Sequence, residues 1–372
     1  MSAIPITFVS SHSANGGSER YLRRLITELG SDWVKDIICL QDGWLAETLR
    51  ADGRDVTVID MPTRPPGLLT RSMALRRHLR STSATLVHAN GIKAAFACGI
   101  ATMGTRIKVV WVKHDFSFEG AFASAVGAAV DRTVGVSKAS ISQLRGPAVR
   151  KATYVHTGID HVPADRSVAR RALLEQMRWP DDSFVIGAVG RLDPTKGFAE
   201  LIRAAAIVRT TQPATRVVVA GSPDPHHPQT RSELERIARD LGLADKVTIL
   251  GEQKDVRSLM AAFDLGVIPT VATRRGGREG FSLVALEMLD AGTPVVAFES
   301  GALPEVLGPC GILVTEGSVD ALAAAIRSVA EDKALGAGLT DCGRDRVASF
   351  STTRWIDEMK REYGSVKESP AR

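Results

Sequence analysis

Val185-Ile186-Gly187-Ala188-Val189-Gly190-Arg191-Leu192-Asp193-Pro194-Thr195-Lys196-Gly197 reads as a buried strand that runs into a turn rich in Gly and Pro. A short apolar run bounded by such punctuation fits a strand covered on both faces, as in a parallel sheet. Arg191 and Lys196 lie on the turn. One offers a planar fork of donors and the other a mobile point charge, a combination suited to the oxygens of a diphosphate. Taken alone, the segment reads equally as a loop with two solvated cations.

The same unit recurs in both directions. Upstream, apolar, β-branched runs at 6–10, 37–40, 56–59, 86–88, 109–112 and 132–136 alternate with longer helical stretches. Downstream, runs at 216–220, 246–250, 265–268, 294–297 and 311–314 do likewise. Parallel strands need crossover helices, so this βα repetition predicts an α/β fold with helices on both faces of mostly parallel sheets. At 372 residues the chain exceeds what one core supports, and two doubly wound domains are expected, with the join near residues 158 to 167. Open parallel sheets bind ligands beyond the carboxyl ends of their strands, which makes an interdomain cleft the expected active site.

Two further segments carry chemistry. In Glu279-Gly280-Phe281-Ser282-Leu283-Val284-Ala285-Leu286-Glu287, two carboxylates bracket a glycine and an apolar, helix-forming run. Gly280 and Ser282 suit a loop turning into a helix, whose first backbone N–H groups lack partners and favour an anion. Glu279 then precedes the helix and Glu287 lies within it; an amphipathic helix with two surface acids is the plainer alternative. Near the start, Asn15-Gly16-Gly17-Ser18-Glu19-Arg20 reads as a glycine-bearing turn into a helix after the first strand.

Composition narrows the classes. The chain is 44% hydrophobic and 24% charged, with no run of about eighteen apolar residues to span a membrane and no secretory leader pattern. Cys39, Cys98, Cys310 and Cys342 are scattered, so reduced thiols in a cytoplasmic protein are expected. The pair His226-His227 lies among prolines and reads as loop rather than metal site. Net charge is +5 with a pI near 9.1, and aromatics make up only 5%, which argues against a nucleic-acid stacking surface. Arg64, Arg71, Arg76, Arg77 and Arg80 interleave with Leu68, Leu69, Met73, Leu75 and Leu79 without an acid. The segment is a candidate for peripheral contact with an anionic inner membrane face, with a helix packed by its Leu/Met stripe as the alternative.

Together these segments resemble the nucleotide-sugar glycosyltransferases of family 4, which have the GT-B fold and retain anomeric configuration. The resemblance rests on Gly16-Gly17, on Gly190-Arg191 with Lys196-Gly197, and on Glu279 and Glu287 separated by seven residues. Gly135-Val136-Ser137-Lys138, Val219-Ala220-Gly221 and Gly301-Ala302-Leu303-Pro304-Glu305 follow in the family's order. One departure is Thr157, where the family usually has Asn before Gly158.

The resemblance implies two Rossmann-like domains: an acceptor-side domain over 1–162 and a nucleotide-sugar domain over 163–350. A terminal helix over 351–364 would cross back to the first domain, with a frayed tail over 365–372. It implies that a hexosyl group moves from a nucleoside-diphosphate sugar, UDP favoured, to an unknown acceptor hydroxyl, with no cofactor and no metal. Arg191 and Lys196 would neutralise the diphosphate, aided by Gly190 and by the Gly17 backbone beside Gly16. Gly280, Phe281, Ser282 and Leu283 would present the helix start, Glu287 the ribose contacts, and Glu279 the contacts to the donor sugar. Gly221 would flank sugar and base.

His114, after a strand, matches a family histidine near the sugar, with a histidine packed at a strand end as the alternative. Asp115 is a candidate support for it, and Asp115 and His88 are candidates for the acceptor side, with structural packing as the equal alternative for His88. Arg275 or Arg278, in the basic loop 273–278, is a further candidate for the diphosphate or an anionic acceptor, with a solvated flexible loop as the equal alternative. A GT-B epimerase, a sugar phosphorylase or a noncatalytic sugar-nucleotide binder would use the same pocket.

Overall fold

The computed structural model describes residues 3–62, 65–273 and 277–369. Arg64 and Arg275 lie outside these residues. The chain divides into two compact units, residues 1–158 with 352–372, and residues 159–351. The division lies at the near edge of the stretch 158 to 167.

In the first unit the strands are β1 (Ile6–Ser10), β2 (Val34–Cys39), β3 (Thr57–Val58), β4 (Leu86–Asn90), β5 (Lys108–Lys113), β6 (Arg132–Gly135) and β7 (Ala152–Tyr154). They form one parallel sheet in the order β3-β2-β1-β4-β5-β6-β7. The second unit holds β8 (Phe184–Val189), β9 (Thr215–Ala220), β10 (Val247–Leu250), β11 (Leu265–Ile268), β12 (Val295–Phe298) and β13 (Gly311–Val314). Their order is β10-β9-β8-β11-β12-β13, again wholly parallel. In each sheet the order reverses beside the first strand, β1 or β8. The loops after that strand and its neighbours therefore open into a crevice at the carboxyl edge.

The cores follow from the strand composition. Ile37, Ile38, Val87, Val109 and Trp111 are buried in the first unit, and Val185, Ile186, Val218, Val267 and Val296 in the second. The edge strand β7 has no counterpart among the expected strands, because three residues, Ala-Thr-Tyr, carry too little pattern to be read. The stretch around Gly336 and Gly338 is helical, Lys333–Val347, although two glycines within one turn favour an irregular segment. Burial of Leu339 and close packing of Gly343 on Leu289 override the low helix propensity of glycine.

The cysteine expectation is corrected. Cys310 and Cys342 form a disulfide with a Cα–Cα distance of 5.1 Å. The helix Lys333–Val347 lies against the turn at Gly308–Cys310, so residues 32 apart in sequence meet in space. Cys39 and Cys98 are free and buried.

The final helix is Thr352–Glu368, longer than expected, and Val366 is buried where a frayed tail was anticipated. This helix belongs to the first unit, where Trp355, Met359 and Tyr363 are buried. Of the basic segment, Leu75 and Leu79 pack fully into the core while Leu69 and Met73 remain half exposed. Arg76 donates to the Ala101 and Met103 carbonyls, and His78 pairs with Asp36 at 2.7 Å. Among the described residues no helix is long and apolar enough to cross a membrane.

Candidate active site

In the second unit, the loops after β8, β9, β11 and β12 are laced together. Gly190 N donates to the Ala220 carbonyl at 2.9 Å and Leu192 N to the Ser222 carbonyl at 2.8 Å, which joins the loops after β8 and β9. Val271 N donates to Thr195 O at 2.9 Å, and Ala302 N to Glu279 O at 2.8 Å. Two glycines permit these approaches. Gly197 has φ +67° and a side chain there would overlap the Pro269 carbonyl; Gly301 has φ +57° and would overlap the Glu279 carbonyl. Gly221 follows β9, its amide donating to Gly251 O at 3.2 Å.

Lys196 and Glu279 meet directly. Lys196 Nζ lies 2.6 Å from Glu279 Oε1, and Thr270 Oγ1 donates to the same oxygen at 2.8 Å. Glu279 Oε2 has no protein partner among the described residues. The carboxylate is largely buried, whereas Lys196 keeps part of its surface in water.

Arg191 is held by two acids. Its Nε lies 2.8 Å from Asp224 Oδ2 and its Nη2 donates to Asp193 Oδ2 at 3.1 Å, with half of the side chain still exposed. Burial opposes the Asp193 charge, yet the Thr195 hydroxyl and amide and the Arg191 guanidinium outweigh it and hold this carboxyl below its usual range. Asp193, Asp224 and His227 offer three ligand atoms within 4.8 Å of one another. The guanidinium already supplies a cation there.

Ser282 caps the helix Leu283–Asp290, its hydroxyl accepting from Ala285 N at 3.3 Å. Glu279 thus precedes the helix and Glu287 lies inside it, as the spacing predicts. Glu287 is approached by Arg257 Nη2 at 3.7 Å, while Arg257 Nη1 pairs with the buried Asp290 carboxylate at 2.7 Å. Phe281 and Leu283 pack on the core beneath, Phe281 with its ring 6.0 Å from that of Phe350. Gly280 lies between Glu279 and this apolar pair, and Arg278 is exposed beside them.

In the first unit, Gly16 precedes the helix Gly17–Leu29 that follows β1, and open space lies where a Gly17 side chain would project. His114 follows β5 and sets its Nε2 2.6 Å from Asn90 Oδ1 at the end of β4. Burial holds the His114 ring neutral, with its pKa lowered to about 4 against the pull of Asp115. The Asp115 carboxylate itself bonds the Ser117 amide and hydroxyl. His88 is wholly buried, its Nδ1 2.7 Å from the Tyr363 hydroxyl. That corrects its expected place on the acceptor side, because it has no surface to offer.

No sequence motif singles out Asp224, Thr270, Arg257 or Asn90. Each is an ordinary polar residue in its own segment and gains meaning only from a partner on another loop. Asp224 lies only four residues from the end of β9, a position that could have flagged it.

Two family models match the chain: glycosyl transferases group 1 over residues 183–332 and a glycosyl transferase 4-like domain over residues 16–160. The D-inositol 3-phosphate glycosyltransferase of Mycobacterium marinum is 35% identical over 218 residues, covering 56% of this chain and 44% of the relative. The protein of that name from Actinosynnema mirum is 32% identical over 259 residues, covering 65% and 59%. The chain spans about half the length of the curated relatives it matches. Among solved structures, HepE of Anabaena in complex with UDP superimposes with a TM-score of 0.83 at 24% identity, over 97% of this chain and 100% of that one. Two parallel-sheet units, each matched in chain order by its own family model, place the chain in the group 1, family 4 glycosyltransferases of the GT-B fold.

Proposed function

We propose that the protein is a retaining, metal-independent glycosyltransferase that moves a hexosyl group from a UDP-sugar to an acceptor hydroxyl. The observation that carries this reading is the Lys196–Glu279 contact of 2.6 Å, made where the loops after β8 and β11 meet. A cation for the diphosphate thereby touches a carboxylate for sugar hydroxyls, which is the arrangement a sugar diphosphate spans.

In this reading Arg191 and Lys196 offset the charge that grows on the departing diphosphate, and the helix start at Ser282 adds aligned N–H donors. Gly16 and Gly17 bring backbone close to the same anion. Glu287 holds the ribose hydroxyls, and Glu279 orients the donor sugar without attacking its anomeric carbon. His114 contacts the sugar. The acceptor attacks on the face the diphosphate leaves, and the leaving phosphate oxygen takes the acceptor proton. UDP is bound by HepE, and the curated relatives are named for a phosphorylated inositol, which makes UDP-sugars and a phosphorylated cyclitol the first donor and acceptor to try. We assign the basic helix no bilayer contact; Leu75 and Leu79 of its stripe belong to the core, and Leu69 and Met73 stay half exposed.

Thermal stabilisation against UDP-, GDP-, ADP- and dTDP-sugars tests the donor, because a ligand that prefers the native state raises its apparent stability. A selective upward shift with a UDP-sugar, followed by transfer to an added acceptor, is expected. No shift with any of them overturns the reading.

A further inference from the structure

β4 and β5 run in register, Asn90 opposite Val112, so that Asn90 ends its strand two residues from the level of His114. Asn90 is 1% exposed, and its side chain has one orientation available. The amide nitrogen donates to the Ser18 carbonyl at 3.1 Å. A carbonyl only accepts, so turning the amide over would set oxygen against oxygen. Oδ1 therefore faces the other way, where His114 Nε2 lies 2.6 Å from it. An amide oxygen also only accepts, and the proton of the imidazole must sit on Nε2.

The ring is fixed from the side as well. Tyr21 stands edge-on to it with centroids 4.7 Å apart, and Tyr21 is itself wedged against Trp355 at 4.9 Å. The groups that act on the ring's charge are Lys113 and Asp115, with His88 on the neighbouring strand. Burial outweighs them and keeps the ring neutral. A neutral imidazole protonated on Nε2 carries a bare lone pair on Nδ1, and Nδ1 has no protein partner among the described residues.

We propose that Asn90 is a positioning residue that locks His114 in the Nε2–H form, so that Nδ1 accepts a hydrogen bond from a hydroxyl of the bound sugar. The word sugar rests on the glycosyltransferase reading; the tautomer does not. A ring set this way selects a group that donates, and it disfavours a carbonyl or carboxylate at the same place.

Long-range proton–nitrogen correlation spectra of the full chain labelled with 15N-histidine, recorded without substrate at pH 7, test the assignment. The His114 signals are identified by their loss in His114→Gln. The expected pattern is a protonated Nε2 and a lone-pair Nδ1; a protonated Nδ1, or an imidazolium, overturns the proposal. In Asn90→Ala the two nitrogens should move toward averaged shifts, and turnover with UDP-glucose and an acceptor should fall by about 10- to 100-fold. Asn90→Asp keeps the accepting oxygen, so the Nε2 proton should persist while the His114 pKa rises. Unchanged histidine spectra in both variants overturn the proposal even if either is less stable. An Nε2–H ring in a protein that transfers no sugar would support the tautomer and count against the enzymatic reading. An Nδ1–H ring in an active transferase would do the reverse.

Discussion

Lys196 and Glu279, 83 residues apart in the chain, form one ion pair of 2.6 Å. In the proposed complex the same ammonium serves the diphosphate. The Glu279 carboxylate therefore competes with the ligand for Lys196 until the sugar hydroxyls engage it.

Glu279→Gln should separate these roles. With the competing charge removed, UDP should bind as well as before or up to about fivefold more tightly, a partly exposed ion pair being worth ~0.2–1 kcal/mol. Sugar transfer should fall at the same time. Calorimetric titration with UDP beside steady-state rates checks this, and a large loss of UDP affinity would place Glu279 on the nucleotide instead.

Arg191→Ala should lower turnover by about 100- to 1,000-fold, the scale of a lost transition-state donor. Asp224→Asn keeps the volume but removes the charge that pins Arg191 Nε, and should cost about tenfold in kcat/KM. An Asp224→Asn enzyme with wild-type rates would show that Arg191 needs no such pin.

Glu287→Ala should weaken UDP binding more than it slows the bound donor's reaction, which is the signature of a contact made equally in ground and transition states. Donor KM and kcat, measured separately, decide. A fall in kcat alone contradicts the ribose assignment.

His88 and His114 set an acid limit on stability. Burial lowers both, to about 3 and about 4, from an ordinary 6.5, with the charge of His114 adding to the effect on His88. A folded-state pKa below the unfolded value means that the unfolded chain takes up protons first. Stability is full above pH 6.5 and is lost as pH falls toward those lower values, by up to ~1.4 kcal/mol per pH unit for each ring. Denaturant midpoints at pH 7.5 and 5 should show the loss, and His114→Gln should reduce it.

Reduction of Cys310–Cys342, or Cys342→Ser, should destabilise the second unit by about 2–4 kcal/mol, as expected for opening a loop of this length. Denaturant curves with and without dithiothreitol read the difference. Identical curves would mean that the bond adds no stability.

The sheets were legible because buried parallel strands announce themselves locally. Val185 to Val189 or Val109 to Val112 need no partner to be recognised. The same holds for Ser282, whose capping role follows from the residue after it being the first of an apolar helix. What sequence left hidden depends on contacts across the fold. The helix through Gly336 and Gly338 has Leu289 and Leu339 to pack on, and Cys342 meets Cys310 because that helix lies against the turn Gly308–Cys310. Asp224 and Asn90 are silent for the same reason: each acts on a side chain from another loop. His88 erred in the opposite direction, since a polar residue at a strand end looks available until Tyr363 is seen above it.

Tyr363 reaches His88 from the helix Thr352–Glu368, across 275 positions of sequence. A ribosome thus delivers this hydroxyl only after the whole of Ile159–Ser351 has been made. The portion synthesised first is the portion completed last, and until then Trp355 and Met359 are missing from the interior they will fill. Chains truncated after residue 351 should carry a folded second unit alongside a loosened first one, open to chaperones and proteases.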